Sequence, residues 1–467
     1  MTKTINRYYA LAKEIADGKM GTEYIYCLNE KKVYKYSEGI WVPLLIERFI
    51  ALVNEYEEET CHWTSSQTEE FIKKFKILKN IELDDFNKCE VINFQNGMYD
   101  PSSDSLGKHK PEYYSTTRLP YKYNSLAQCD LWIKTLNEIF EGNYKKIELL
   151  QEFFGYCLSA ENEQKKGLLL LGETDTGKST IIDTFKDVIG SSNISNVPLH
   201  NLADPQHNCG LVNMMVNIDP DVNKNAIDYE REFKIITSGK SETIRTSPKF
   251  VPTFEFIPKC KLILAANIFP RITDPSSAFY QRLLVVPCER RFSDTEKDRL
   301  LNNKLKLELP GIFNWMIKGL HRLKKRGYFN GHDFLGEAVQ DLRDESNPVD
   351  VFFREHIEED VVSGYKEEKG ELYKKYDQWC KDNGNRSLSA INFGKALYQK
   401  YQKFTPKKCQ DHITGKRIWL NIRYVTFKND NKQEITLEAD AISNTSDAKA
   451  FNDVQPVTAS QQDIKWD

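Results

Sequence analysis

The spacing of hydrophobic residues divides the first third of the chain into two parts. Residues 24–41 alternate aromatic or β-branched residues with polar ones around two turn-like sequences, a pattern that predicts a β-hairpin. Residues 68–79 and 131–159 place hydrophobic residues at helical spacing. We therefore expect a small α+β domain over residues 1–125 and a helical lead-in over residues 126–165.

A different pattern begins at Gly167. Short hydrophobic runs, each long enough for one buried strand, alternate with helix-like or polar stretches; these runs are residues 168–171, 214–218, 262–266 and 283–286. Buried strands that alternate with helices are typical of an α/β domain. We expect this domain over residues 166–330.

The pattern changes again near the Asn-Pro sequence at residue 347. Two helix-like runs precede two β-like runs, and these are residues 372–380, 391–401, 417–422 and 424–427. Helices followed by a hairpin suggest a winged-helix domain, which we expect over residues 345–428. Residues 429–467 are polar and have little periodicity, so we expect this tail to be disordered.

The composition is typical of a folded protein with about three domains. The chain has 467 residues, of which 40% are hydrophobic and 28% are charged, and these values exclude wholesale disorder. No hydrophobic stretch approaches the roughly 18 residues of a membrane span, and no export signal is recognisable, so a cytoplasmic location without membrane contact is expected. The ten cysteines are scattered singly, which argues against a disulfide framework. His200, His207 and Cys209 come nearest to a zinc-ligand cluster but lack a second pair.

The net charge of −3 conceals segments of opposite charge. Residues 395–428 contain nine basic residues and one acidic residue, whereas residues 430–467 contain eight acidic and three basic residues. The basic segment also contains aromatic residues, and this combination fits phosphate contacts on duplex DNA. A solvated basic face is the alternative interpretation. The candidate DNA-binding residues in this segment are Lys407, Lys408, Lys416 and Arg417.

The most specific chemical motif follows the first hydrophobic run of the α/β region. Residues 172–179 read GETDTGKS, which matches the P-loop pattern between a strand and a helix. In such a loop, glycines let backbone N–H groups turn toward phosphates, the lysine reaches the terminal phosphates, and the serine ligates Mg²⁺. We expect ATP and Mg²⁺ here; a glycine loop without a ligand is the alternative. The candidate residues are Gly172, Thr176, Gly177, Lys178, Ser179 and Thr180.

Two carboxylates follow the second hydrophobic run. Asp219 ends this run and Asp221 lies two residues further on, beyond Pro220. A P-loop ATPase needs carboxylates at the end of a neighbouring strand, to hold the metal and to polarise the attacking water. Asp219 could hold Mg²⁺ and Asp221 could polarise the water, and the two Asp residues around Pro220 leave open which of them holds the metal. A strand that ends in a Pro-containing turn capped by Asp is the structural alternative.

Polar residues also flank the last two hydrophobic runs. Asn267 follows one run and could orient the attacking water, whereas Arg282 precedes the other and could act on the nucleotide of a neighbouring subunit. A basic, hairpin-like segment lies between the carboxylates and Asn267, and it contains Lys240, Arg245, Lys249 and Phe250. It could line a channel for single-stranded DNA, with a solvated hairpin as the alternative.

This ordered set of motifs resembles the superfamily 3 helicases, with the greatest likeness to phage, plasmid and poxvirus primase-helicases. The motifs themselves span residues 172–282, and the similarity extends over roughly residues 20–427. Further matching segments are residues 93–100 (NFQNGMYD), 150–156 (LQEFFGY), 267–270 (NIFP) and 376–380 (YDQWC). The acidic motif departs from the family pattern, because two Asp residues flank Pro220 where a Glu-containing pair is usual.

The resemblance implies an AAA+ P-loop core that assembles as a ring, usually hexameric, and moves 3′ to 5′ along single-stranded DNA. Asn267 would then be the phosphate sensor, Lys249 the channel cation, and Arg282 a residue that acts in trans. Residues 1–125 show no convincing carboxylate cluster for priming, so we expect a separate primase or polymerase.

The expected function is therefore that of a replicative helicase of a phage, plasmid or mobile element in a bacterial host, with origin DNA bound by the winged helix. The alternative is a DNA-binding initiator in which ATP only switches the assembly state. An RNA-directed relative or a packaging motor fits less well, because neither explains a basic winged helix.

Overall fold

The computed structural model describes residues 2–57, 63–222, 230–239, 242–249, 251–267, 281–330, 348–359, 365–401, 414 and 416–425. The predicted tail and the Asn-Pro boundary at residue 347 therefore lie outside the described residues. Within them, no helix is long and apolar enough to cross a membrane.

The N-terminal part combines three helices with a four-stranded sheet. The helices are α1 (Thr2–Ala16), α2 (Ile46–Tyr56) and α3 (Ser65–Leu78), and the strands are β1 (Tyr24–Cys27), β2 (Lys32–Ser37), β3 (Ile40–Leu44) and β4 (Asn80–Ile81). The sheet order is β3-β2-β1-β4, antiparallel except for the parallel pair of β1 and β4. The hairpin predicted for residues 24–41 is confirmed as β1 and β2, and β3 continues it as a meander.

Strand β1 is buried on both faces and joins two hydrophobic cores. Tyr24 and Tyr26 pack with the three helices, whereas Ile25 and Cys27 belong to a second core that also contains Leu169 of the α/β region. Successive side chains of a strand point to opposite faces, which explains this division. The N-terminal sheet therefore shares its core with the α/β region and is not separated from it by solvent.

A second small sheet connects the N-terminal part to the α/β region. It consists of β5 (Ile92–Phe94), β6 (Gly97–Asp100) and β7 (Ser105–Gly107) in an antiparallel arrangement. The helical lead-in is two helices, α4 (Asp130–Ile139) and α5 (Tyr144–Tyr156).

The centre of the molecule is a five-stranded parallel sheet. Its strands are β8 (Gly167–Leu171), β9 (Ile194–Ser195), β10 (Val216–Asp219), β13 (Lys261–Ala266) and β14 (Leu283–Pro287). The order is β14-β8-β13-β10-β9, and every paired strand is parallel. The predicted α/β pattern is confirmed, because the hydrophobic runs form strands that are buried on both faces.

Helices and one hairpin connect or cover these strands. The elements are α6 (Lys178–Ile189), α7 (Glu230–Thr237), β11 (Ile244–Thr246), β12 (Phe254–Phe256), α8 (Leu301–Leu305) and α9 (Leu309–Arg326). Helices α4, α5, α6 and α9 contribute to the core on one face of the sheet, and side chains of the N-terminal sheet contribute to the core on the other.

The C-terminal part differs from the predicted helices followed by a hairpin. It comprises α10 (Pro348–His356), β15 (Ile357–Glu359), β16 (Lys366–Glu368), α11 (Lys369–Asp382), α12 (Ala390–Tyr401), β17 (Ile418–Leu420) and β18 (Ile422–Tyr424). Among the described residues, β17 and β18 do not pair with each other: β17 pairs with β16, and β18 pairs with β15. The reason lies at Asn421, whose φ of 60° bends one continuous segment so that each half meets a different partner.

The crossing of α5 and α9 depends on two glycines. A Cβ at Gly155 would lie 2.5 Å from the backbone nitrogen of Leu320, and a Cβ at Gly319 would lie 2.3 Å from the backbone oxygen of Gln151. Beside this crossing, the fully buried Glu152 forms ion pairs with Arg322 and Arg326 of α9. The two helices therefore approach closely enough for backbone contact, and a buried charge network fixes their register.

We expect Gly155→Ala to destabilise the protein, because the added methyl group meets backbone atoms that cannot rotate away. Overpacking of this kind costs about 1–3 kcal/mol, which lowers the melting temperature by about 2–4 °C per kcal/mol in a domain of this size. Gly370→Ala in α11 is the matched control, because its Cβ would meet only Glu368 at 3.8 Å. Equal melting temperatures of the two variants in thermal denaturation would contradict the close crossing.

Candidate nucleotide site

The predicted P-loop connects the end of β8 to the first residue of α6. Its chain is turned by left-handed backbone conformations at Asp175 (φ 65°) and Gly177 (φ 86°). The Thr176 hydroxyl is buried and donates to the backbone oxygen of Glu173 at 2.8 Å, which holds the loop closed on itself. A loop that leads into a helix N-terminus presents free N–H groups and a positive dipole end, the usual setting for a bound phosphate.

Close contacts explain both glycines of the motif. A Cβ at Gly172 would lie 2.1 Å from the backbone oxygen of Cys288, which follows β14. A Cβ at Gly177 would lie 2.7 Å from Cγ1 of Ile139 at the end of α4. The loop is therefore enclosed between the segment after β14 and the helical lead-in, and a side chain at either glycine would force one of them away.

Lys178 points into the loop. Its Nζ donates to the backbone oxygens of Gly172 and Glu173 and to Oδ1 of Asn267 at 3.1 Å. Partial burial lowers the pKa of Lys178, whereas the carboxylates of Asp175 and Asp221 act in the opposite direction. The ammonium group thus lies within the loop where the predicted motif requires a phosphate, and Asn267 lies beside it.

Asn267 and Asp221 reach this position because of the sheet order. Strand β13 lies beside β8 and β10 lies beside β13, all three in parallel, so their carboxyl ends meet at one edge of the sheet. The backbone nitrogen of Val222 donates to the oxygen of Ala265 at 2.9 Å and holds the acidic segment against β13. Asp221 is exposed and its charge raises the pKa of Lys178. Ser179, also exposed, is the next residue of α6.

Asp219 has a different environment from the one expected of a metal ligand. It is only 6% exposed, and its Oδ2 accepts a hydrogen bond from the backbone nitrogen of Leu199 at 2.8 Å. Two residues earlier, Asn217 forms a reciprocal pair of hydrogen bonds with the backbone of Val197 at 2.9 Å. The side chains at the end of β10 therefore hold residues 197–199 in place, a structural contact that the sequence did not reveal.

Residues 197–211 in turn carry the basic hairpin. Strands β11 and β12 pair in an antiparallel register that places Arg245 opposite Glu255. The hydroxyl of Thr246 and the backbone nitrogen of Ser247 both donate to the oxygen of Pro205, at 2.9 and 2.8 Å. Lys249 is exposed near the tip of this hairpin. Lys240 and Phe250, also predicted for it, lie outside the described residues.

The predicted in-trans residue, Arg282, lies far from the P-loop of its own chain. It precedes β14, and its backbone oxygen accepts from the nitrogen of Gly167 at the start of β8. The P-loop follows the other end of β8, a five-residue strand of about 16 Å. The Arg282 Nη1 donates to the oxygen of Lys234 at 2.6 Å and to the hydroxyl of Thr237 at 3.3 Å, near the C-terminus of α7. This position excludes direct contact with a nucleotide in its own P-loop.

The remaining predicted site residues fall into three groups. Thr180 is half-buried in the first turn of α6. Lys416 forms an ion pair with Glu368 at 2.8 Å and Arg417 is exposed, whereas Lys407 and Lys408 lie outside the described residues. His207 contacts Asp204 at 2.8 Å, and no group of three or more metal-ligating residues occurs in the described part of the chain.

Ion pairs around the P-loop were missed by sequence reasoning. Glu173 contacts Arg291 at 3.4 Å, and Asp175 contacts Lys297 at 3.0 Å. Both basic residues belong to a strongly charged segment that follows β14. The acids within the motif and the dense charges downstream were visible in the sequence, but their pairing depends on the sheet order.

Three family models match consecutive parts of the chain. A family described as D5 N terminal like matches residues 4–141, a family of unknown function (DUF5906) matches residues 170–291, and a family described as Poxvirus D5 protein-like matches residues 344–443. The two D5-type matches bear out the predicted resemblance to primase-helicases of the phage and poxvirus type, whereas the family of unknown function adds no activity. The N-terminal part, the α/β region and the C-terminal part each find a separate match.

Two curated proteins are also similar. The putative helicase 184R of Invertebrate iridescent virus 6 is 24% identical over 320 residues, which cover 59% of this chain and 32% of the relative. The chain thus spans about a third of the length of that protein. The uncharacterized mitochondrial protein ymf21 of Marchantia polymorpha is 22% identical over 156 residues, covering 30% of this chain and 86% of the relative.

The fold is similar to that of a solved structure, the NrS-1 C-terminal region in its apo form. Two determinations of it give TM-scores of 0.51 and 0.52 at 13% and 14% identity, and each covers 88% of this chain and 98% of the solved chain. At this level of identity the likeness establishes a shared fold. The likeness extends through nearly the whole of the solved chain.

Because Asp219 accepts a buried hydrogen bond and Asp221 is exposed, we expect substitution of Asp219 to destabilise the protein more than substitution of Asp221. Asp219→Ala leaves the buried nitrogen of Leu199 without an acceptor, which costs about 1–3 kcal/mol, whereas Asp221→Ala at an exposed position costs less than about 0.5 kcal/mol. Asp219→Asn retains an acceptor oxygen and should unfold near the parent temperature. Thermal denaturation without nucleotide measures all three variants; equal loss in Asp219→Ala and Asp221→Ala would contradict the structural contact.

Proposed function

We propose that the chain is an ATP-dependent DNA helicase that acts in replication of a virus, phage or mobile element. The observation that carries the proposal is the position of Lys178. It is the first residue of α6, directly after the loop that follows β8, and it donates a hydrogen bond to Asn267 at the end of the neighbouring strand β13. A lysine, a strand-end amide and the exposed carboxylate of Asp221 converge there, and this set of groups suits a nucleoside triphosphate with Mg²⁺. The family matches favour replication, and the name of the viral relative favours helicase activity for that relative.

Each residue of the site has a role in this proposal. Backbone N–H groups of the P-loop and the helix dipole of α6 would hold the phosphates, and Lys178 would neutralise charge on the terminal ones. The hydroxyl of Ser179 would ligate Mg²⁺, which lowers the negative charge that develops during phosphoryl transfer. Asp221, exposed beside Lys178, is better placed than the buried Asp219 to act on the attacking water, and Asn267 would orient that water.

Arg282 supports an assembly in which each nucleotide lies between two subunits. It lies at the amino end of β8 and β14, away from the P-loop of its own chain, and this position is compatible with a role at the nucleotide of another chain. We propose a ring, in line with the resemblance, in which Arg282 exchanges its contacts on α7 for the terminal phosphate of the neighbour. An arginine supplied in trans accelerates phosphoryl transfer by about 10³–10⁵ where measured.

The hairpin β11–β12 is the proposed contact with single-stranded DNA, and the C-terminal part the proposed contact with duplex origin DNA. Arg245 and Lys249 are exposed on the hairpin. Exposed basic side chains in a groove can contact the phosphates along a single strand of DNA. Travel from 3′ to 5′ and reliance on a separate primase or polymerase are parts of the proposal that rest on the resemblance. Arg417, exposed on the segment that leads into β17, is a candidate for duplex contact.

Strand displacement from a forked DNA duplex tests the function. We expect the parent chain to hydrolyse ATP and separate the strands, and Lys178→Ala to lose both activities, because the terminal phosphates lose their cation. Lys76→Ala, at an exposed position of α3, is the control for a lost surface lysine. If the parent hydrolyses ATP without separating strands, this result would favour a DNA-binding initiator in which ATP only switches the assembly state. Separation of RNA duplexes but not DNA duplexes would show that DNA is not the substrate.

For Arg282→Ala, we expect nucleotide binding to remain and turnover to fall by at least about 10²-fold, since the trans charge is lost. Mixing Arg282→Ala subunits with Lys178→Ala subunits should restore part of the activity, because some interfaces then combine an intact lysine with an intact arginine. Steady-state ATP hydrolysis measures both effects. If mixing restores nothing while each variant still assembles, the in-trans role is wrong.

A further inference from the structure

The predicted phosphate-binding loop contains two acidic residues, Glu173 and Asp175. Free N–H groups, the N-terminus of α6 and Lys178 together create a positive potential in this loop, which is what attracts phosphate. A carboxylate in the same loop opposes that potential. The loop therefore needs some other charge to offset its acids if it is to bind a nucleotide that carries several negative charges.

The segment after β14 supplies a basic partner for each acid. Lys297 Nζ lies 3.0 Å from Oδ1 of Asp175, and Arg291 Nη1 lies 3.4 Å from Oε2 of Glu173. The backbone nitrogen of Phe292 also donates to the backbone oxygen of Asp175 at 2.9 Å, so the segment is attached to the loop itself. The two ion pairs are thus part of a continuous contact and not a chance meeting of long side chains.

The two acids differ in how they affect Lys178. Asp175 is among the charges that raise the pKa of Lys178, which means that its carboxylate attracts the ammonium group that the phosphates need. The side chain of Glu173 is 74% exposed and that of Asp175 is 49% exposed, so solvent screens the former more strongly. Asp175 is therefore the acid that competes with a bound phosphate.

We propose that Lys297 is a positioning residue that offsets the charge of Asp175 and thereby sets the affinity of the loop for nucleoside di- and triphosphates. The ion pair with Lys297 offsets the charge of the Asp175 carboxylate, so that this carboxylate opposes a bound phosphate less strongly. The inference rests on the proposed function in so far as it assumes that this loop binds nucleotide. Lys297 also contacts Asp294 at 2.7 Å, which keeps its side chain beside the loop.

The ion pair should matter for binding much more than for folding. Both side chains are partly exposed, and exposed pairs contribute little to stability because water and salt screen them. When a nucleotide arrives, however, an uncompensated Asp175 meets several phosphate charges at once. The expected signature is a loss of affinity without a change in melting temperature.

The test is a fluorescence titration of the full chain with a fluorescent ADP analogue and its ATP counterpart. We expect Lys297→Ala to bind both about five- to tenfold more weakly than the parent, and this loss should shrink as salt is raised. Adding Asp175→Asn to Lys297→Ala should restore affinity to within about twofold of the parent, because the opposing charge is gone. Asparagine tolerates the left-handed backbone at this position, so the loop keeps its shape.

Arg291→Ala is the matched control, because it removes a partner of the other acid from the same segment; we expect a change of less than about twofold. Equal affinity of Lys297→Ala and parent would overturn the inference. Failure of Asp175→Asn to rescue Lys297→Ala would also overturn it, since Lys297 would then contact the phosphates directly. If the parent itself binds neither nucleotide, the proposed function fails, which is distinct from both of these results.

Discussion

Each strand of the central parallel sheet is buried on both faces, with Leu168 and Leu170 in one core and Leu169 in the other. Helices cover one face and the N-terminal sheet contributes to the cover of the second. Because parallel strands bring their carboxyl ends to one edge, the loops that follow β8, β10 and β13 must meet there. The convergence of Lys178, Asp221 and Asn267 is a consequence of this burial and of the strand order.

The same edge is linked to the basic hairpin by hydrogen bonds. Asp219 and Asn217 hold the segment at residues 197–199, and Pro205 further along that segment accepts from Thr246 and Ser247 of the hairpin. The N-terminal part holds the other end of the hairpin, since Asp84 accepts from the backbone nitrogen of Ile257 at 3.2 Å. A proposed DNA contact is therefore attached at one end to the proposed nucleotide site and at the other to the N-terminal part.

Acidic side chains in and near the P-loop lie beside basic partners. The near-neutral charge of the whole chain does not reveal these pairs. Asp175 and Glu173 are paired with Lys297 and Arg291, and the buried Glu152 is paired with two arginines of α9. These pairs join segments that are far apart in the chain. The net charge cannot reveal these pairs, because it is a sum over the whole chain and the fold decides which charged residues become neighbours.

The sequence by itself determined four of the five strands of the central sheet, the P-loop motif and the resemblance to primase-helicases, because hydrophobic runs and short glycine motifs are local patterns. The short strand β9 carries no such run. The sequence did not determine the partners of Asp219, Arg282 or Lys297, nor the separation of β17 from β18. These depend on strand order and on contacts between residues distant in the chain, and no local spacing encodes them. The tertiary structure thus decided that Asp219 holds a neighbouring segment and that Arg282 faces away from the P-loop of its own chain.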